Sequence, residues 1–211
     1  MNDSHIDGLL DNLAEFGNNL KHLSLSAENS WELSRQIGVR AEDEIRQATR
    51  YTPELKELNL FHVDLYSLYD TLAKFIDLTA LTHLALHACP GVEPFIAELG
   101  RRALRNRFCL EHIAVDTGSI PSEGAMAEHG DLNESFENIP KSCAPIRNLH
   151  LGHAILNPTP PAIMMHLRTR GSDFDLLSLH SDITLSRHDF ESVCKLCPNL
   201  QQLAFRIDNE A

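Results

Sequence analysis

Basic residues are scarce in this chain. It has 18 Lys and Arg against 30 Asp and Glu in 211 residues, a formal net charge of −12. Nucleic acid and anionic membranes are held by clustered cations, so neither is expected as a partner. One basic cluster exists, Arg101, Arg102, Arg105 and Arg107; it reads as a solvated helix face. Long apolar runs are missing as well, and none approaches the roughly 18–20 residues a membrane span needs. The polar start Met1-Asn2-Asp3-Ser4 leads into no apolar stretch, so no secretory signal is read there. The 5 cysteines are odd in number and lack framework spacing. They suit a reducing compartment, the cytoplasm or the nucleus, better than a disulfide scaffold.

Catalytic signatures are absent too. There is no GxSxG, phosphate-binding Gly-rich loop or HExxH. His180-Ser181-Asp182 are adjacent, so on a strand they alternate between faces and form no triad. Cys194-x-x-Cys197 has the form of a zinc or redox half-site, but no second pair has matching spacing. Packing explains it better, with Cys194 on the apolar stripe of a helix and Cys197 just before a strand. Cys89 and Cys109 are expected to pack beneath strand ends. No cofactor and no catalytic residue is assigned. Aromatic residues make up only 6% of the chain, so its core must be mostly aliphatic.

What the chain does have is leucine in a recurring pattern. Residues 81–92, LTHLALHACPGV, carry Leu81, Leu84 and Leu86 as LxxLxL, followed by Cys89 and Val92. Similar blocks begin at Leu20, Leu55, Leu110, Ile146, Phe174 and Leu200. The spacings between successive blocks are 35, 26, 29, 36, 28 and 26 residues. Apolar stripes at helical spacing fill several intervals: Leu65 to Ile76; Phe95, Ile96, Leu99, Ala103 and Leu104; Phe136 and Ile139; Ile163, Met164 and Leu167; Phe190, Val193 and Cys194. Ser186 and Asp189 form a helix-start signal, and Pro160-Pro161 suits a first helical turn. Prolines at 53, 145 and 198 stop each preceding helix and turn the chain into a strand. Two intervals are long: 26–40, with Trp31, and 117–134, which reads as an exposed acidic loop.

This alternation is the signature of a leucine-rich repeat in its cysteine-containing variant. The expected fold is an α/β solenoid, a ribonuclease-inhibitor-like horseshoe with a parallel sheet on the concave face and helices on the convex face. Residues 1–19 are expected to form an N-terminal capping helix or the remnant of a preceding repeat. Residues 20–211 would then hold about seven degenerate units. Residues 183–205, ITLSRHDFESVCKLCPNLQQLAF, resemble the unit ITDxxLxxLxxxCPxLxxLxL, and 81–99 match its first part. The chain, over essentially 20–205, thus resembles the repeat region of F-box proteins, especially degenerate fungal ones. Only Cys89 fits the family's Cys or Asn at the ninth position of the block; Glu28, Val63, Gly118, Ala154, Asp182 and Asp208 stand there elsewhere. In that family the repeats hold the substrate and an N-terminal F-box docks the ligase scaffold. No LPxEIL-type F-box precedes Leu20, and 5–16 is too short for that three-helix module. The resemblance therefore implies recognition only.

In each strand the leucines should face inward and the intervening residues outward. The third positions are His22, Glu57, His83, His112, Asn148, Leu176 and Gln202. The fifth are Ser24, Asn59, Ala85, Ala114, His150, Ser178 and Ala204. The seventh are Ser26, Phe61, His87, Asp116, Gly152, His180 and Arg206, and the eighth Ala27, His62, Ala88, Thr117, His153, Ser181 and Ile207. Eight of the 12 histidines fall among these positions, far more than even placement would put there. The plainest reading is a polar residue suited to an exposed strand. A second is a surface whose charge changes as histidine titrates. A third is a metal site at Glu57, His83 and His112, neighbours in one column.

The function expected is a non-catalytic interaction module that binds a protein partner through the concave face and the long loops. Its candidate contacts are His22, Glu57, Asn59, His83, His87, His112, Asp116, Asn148, His150 and His180. One alternative is the substrate-recognition part of an F-box-type ubiquitin ligase receptor without its F-box; another is a metal-dependent enzyme. The chain runs only to residue 211 after Phe205, so the last strand is expected to be an open edge, covered by a partner or by self-association.

Overall fold

The computed structural model describes residues 20–26, 55–63, 76–116, 145–152, 160–179 and 184–207, together with 65, 72, 138, 139 and 143. Each of the seven leucine blocks supplies one strand: β1 (His22–Ser26), β2 (Glu57–Phe61), β3 (His83–His87), β4 (His112–Asp116), β5 (Asn148–Leu151), β6 (Leu176–Leu179) and β8 (Gln202–Ala204). They form one seven-stranded parallel sheet in chain order. The short strands β7 (Thr184–Leu185) and β9 (Arg206–Ile207) pair separately.

Pairing is in register along the whole sheet. Leu23, Leu58, Leu84, Ile113, Leu149, Leu177 and Leu203 stand opposite one another in turn. The junctions also repeat one hydrogen-bond arrangement. The carbonyl just before a strand accepts two successive amides of the next. Lys21 O takes Lys56 N and Glu57 N, Lys56 O takes Thr82 N and His83 N, and Thr82 O takes Glu111 N and His112 N. Glu111, Arg147 and Asp175 do the same for the following strands. Identical local geometry at every junction keeps the rows aligned.

Alternation then sorts the side chains. Leu60, Leu86, Val115, Leu151 and Leu179 are buried, as are the block-opening residues Leu55, Leu81, Leu110, Ile146 and Phe174. Helices cover that face: α1 (Val92–Ala103), α2 (Pro160–Arg170) and α3 (Arg187–Leu196). They add Phe95, Ile96, Leu99 and Ala103, then Met164 and Leu167, then Val193, all to one continuous core. Sequence features set the helix ends. Gly91 enters α1 with φ 76°, a left-handed conformation that favours glycine. Pro160-Pro161 open α2. Ser186 Oγ accepts from Asp189 N while Asp189 accepts from Ser186 N, a full capping box for α3.

The structure corrects several expectations. Leu104 lies past the last turn of α1 and is 67% exposed, because the chain leaves the helix before completing the stripe. Of the stripe expected on α3, Val193 faces the core but Cys194, one residue later, is exposed. Cys109 is exposed as well. It lies on extended chain entering β4, where Phe108 and Leu110 point inward and Cys109 alternates outward. The eighth positions of two blocks are not flat surface. His62 and Ala88 have φ of 55° and 49°, so the chain turns there and carries Val63 and Cys89 into the core. Arg206 and Ile207 do not extend the main sheet, since they pair with Thr184 and Leu185. The capping helix or repeat remnant expected over 1–19, the Trp31 interval, the acidic loop at 117–134 and most of the stripe from 65 to 76 lie outside the described residues.

Candidate functional site

The face of the sheet opposite the helices carries the third, fifth and seventh positions, side by side through the parallel register. Its third row contains the densest polar chemistry. His22, Glu57, His83, His112 and Asn148 are consecutive register partners. His22 Nδ1 lies 2.7 Å from Glu57 Oε2, and His83 Nδ1 lies 3.8 Å from Glu57 Oε1. The rings of His83 and His112 stack at 3.8 Å between centroids, 7° from parallel. Asn148 Nδ2 closes the row 2.6 Å from His112 Nδ1. Five residues far apart in sequence thus form one continuous ladder.

Its electrostatics follow from those contacts. The hydrogen bond from His22 holds the Glu57 carboxyl below its usual range, against a smaller opposing effect of desolvation. Partial burial pushes His112 below the ordinary histidine range, and the neighbouring His83 adds to this. Arg147 also lowers it, while Glu111 and Asp175 act in the opposite direction. Arg147 and Asp175 are themselves paired at 2.6 Å.

Asn59, Ala85, Ala114 and His150 form the middle row, all half-buried. In the seventh row Phe61 and His87 stack at 5.0 Å and 9°. Asp116 follows His87 in register. Its side chain occupies the space left by Gly152, where an added Cβ would lie 2.7 Å from Asp116 Oδ1. Of the ten expected contact residues, nine therefore lie on this face; His180 is outside the described residues. The stacking was not legible in the sequence, although column adjacency of His83 and His112 was its necessary condition.

The arrangement does not suit a metal ion. Stacked rings present their nitrogens side by side rather than converging on one point. Both Nδ1 atoms and the Glu57 carboxylate already have partners. Among the described residues no group of three or more His, Cys, Asp or Glu side chains could hold an ion.

The buried thiols are poor nucleophiles. Burial raises the pKa of Cys89, that of Cys143 to about 12 and that of Cys197 to about 11. Cys89 Sγ donates instead to the Leu60 and His87 carbonyls at 3.4 and 3.3 Å, tying its turn to the sheet. Of the basic cluster only Arg101 and Arg102 lie on α1, where both pair with Glu98; Arg105 and Arg107 are exposed beyond the end of the helix. Among the described residues no helix is long and apolar enough to cross a membrane.

Comparison with protein-family models, curated proteins and solved structures found no match to this chain.

Proposed function

We propose that this chain is a leucine-rich-repeat solenoid acting as a non-catalytic protein-interaction module, with the open sheet face as its binding surface. The observation that carries this reading is the register. It gathers half-exposed side chains from successive strands into one broad surface, with a polar ladder along one row and stacked rings along another. The repeated hydrogen bonding at the strand junctions supports a solenoid of equivalent units. Such a surface matches the flat, extended contact of a protein partner better than an enclosed small substrate.

Partner capture by crosslinking tests it. The Glu57→Ala, His83→Ala, His112→Ala triple variant should lose partners that a control with Arg187→Ala and Glu191→Ala on α3 retains. Full retention by the triple variant would overturn the reading.

The second reading is a substrate receptor related to F-box proteins. It is favoured by the C-terminal unit, where a capped helix runs into buried Cys197 and then Pro198, as in the repeat it resembles. Co-purification with a ubiquitin-ligase scaffold protein tests it, and no association would sink it for this chain.

A further inference from the structure

The hydrogen bonds around the stacked rings fix opposite tautomers. Thr82 Oγ1 donates to the Lys56 carbonyl at 3.1 Å. Toward His83 Nδ1, 2.9 Å away, the same oxygen must then accept. His83 Nδ1 therefore carries a proton, and the Glu57 carboxylate 3.8 Å from it favours the same placement. His112 is the reverse case. Asn148 Nδ2 can only donate, so His112 Nδ1, 2.6 Å away, presents its lone pair. The proton of neutral His112 then sits on Nε2.

In each ring Nε2 and Cε1 form the edge remote from Cγ, and both side chains are half-exposed on this face. The stack holds the two rings side by side, with centroids 3.8 Å apart. One Nε2 accepts and its neighbour donates. Ala85 and Ala114, each two residues along the same two strands, leave low ground beside the pair for an approaching chain.

We propose that His83 and His112 form a donor–acceptor edge that receives a carboxamide side chain, Asn or Gln, from an extended segment of a partner protein. The proposal rests on the open face being the binding face. A carboxamide offers one acceptor oxygen and an NH2 donor side by side. It is the same complementarity by which Asn or Gln reads the donor and acceptor of the adenine edge. A carboxylate offers acceptors alone and would set an oxygen against the His83 lone pair. An ammonium offers donors alone and would face the His112 N–H. Asn148 and Thr82 are positioning residues, because they set which nitrogen carries each proton.

The test is selection of random peptides displayed on phage against the whole protein at pH 7.5, followed by affinity measurement with synthetic peptides. Binders that need His83 and His112 should share an Asn or Gln at one position. Replacing that residue by Glu, Asp or Leu should weaken binding about tenfold or more. Asn148→Ala, which frees the His112 tautomer, should shrink the Gln-over-Glu preference while the melting curve shows the chain still folded. Binders that need the pair but prefer an acidic, basic or apolar side chain would overturn the carboxamide edge and leave the binding face standing. Binders indifferent to every open-face substitution, or no binders at all, would overturn both.

Discussion

The middle of the sheet and its C-terminal end are built from the same sequence pattern but hold their residues differently. In the middle, Leu58, Leu84, Ile113 and Leu149 are all at most 4% exposed. Each has a strand on both sides. At the end, Leu203 occupies the same row, yet it is only half-buried, as are Leu200 and Phe205. Among the described residues β8 pairs on one side alone. The difference teaches that a leucine of this sheet is buried by the strands on either side of it as much as by its own strand. The third row divides along the same line. It is a polar ladder from His22 to Asn148 and becomes Leu176 and Gln202 beyond it.

Truncating one leucine in each region breaks the comparison most sharply. Leu84→Ala removes a side chain that is 2% exposed and should cost about 2–5 kcal/mol. Leu203→Ala removes one already partly in solvent and should cost about 1 kcal/mol. Denaturant unfolding of the two variants measures both values. Equal costs would mean that the last strand is as well supported as the centre.

Two glycines give the next largest effects, one in each region. A Cβ at Gly171, which follows α2, would overlap the Leu196 carbonyl at the end of α3 and come within 3.1 Å of Cys197 Sγ. Backbone stands in the way, so Gly171→Ala should cost about 1–3 kcal/mol by forcing α2 and α3 apart. At Gly152 the obstacle is Asp116, whose Cβ would lie 2.6 Å away. Gly152→Ala should reach a similar cost of about 1–3 kcal/mol, but with a different signature. Its largest amide shifts should fall in β4 and β5, whereas those of Gly171→Ala should fall in α2 and α3. Two-dimensional NMR of the labelled variants distinguishes them.

These contrasts bear on how much the sequence shows. The leucine rows were legible because a period of two in each block leaves one face for the core. The third column was legible for the same reason, and its members do stand in register. What alternation does not encode is where a strand stops. His62 and Ala88 adopt left-handed turns without being glycine, a conformation that no residue-type signal marked. Cys109, Cys194 and Leu104 each stand one step along a strand or helix from a buried residue, a distance that a short apolar pattern does not resolve. The strands β7 and β9 are two residues each, too short to carry a period. Ring stacking and tautomers depend on Thr82 and Asn148 beside the histidines, which the column alone does not show.

The smallest expected effect is a pH dependence confined to the polar half of the third row. The folded-state pKa of His112 lies below its ordinary value of 6.5, chiefly through burial. Below that value the unfolded chain binds a proton more readily than the folded one, so stability falls with pH until the folded-state ring is also protonated. Glu57 acts in the same direction lower down. Its carboxyl is held below 4.5 by His22, so its contribution is present above 4.5 and is lost as pH falls through the depressed value. The melting temperature should therefore decline in two stages as the solution is acidified. His112→Asn should flatten the first stage, just below pH 6.5, and Glu57→Gln the second, below pH 4.5. Exchanging Gln202 for Asn, at the far end of the row where no ionisable side chain stands in register, should leave both slopes as they are. If His112→Asn leaves the first stage unchanged, the stacked pair is not what makes this face sensitive to acid, and the decline must arise from histidines elsewhere in the chain.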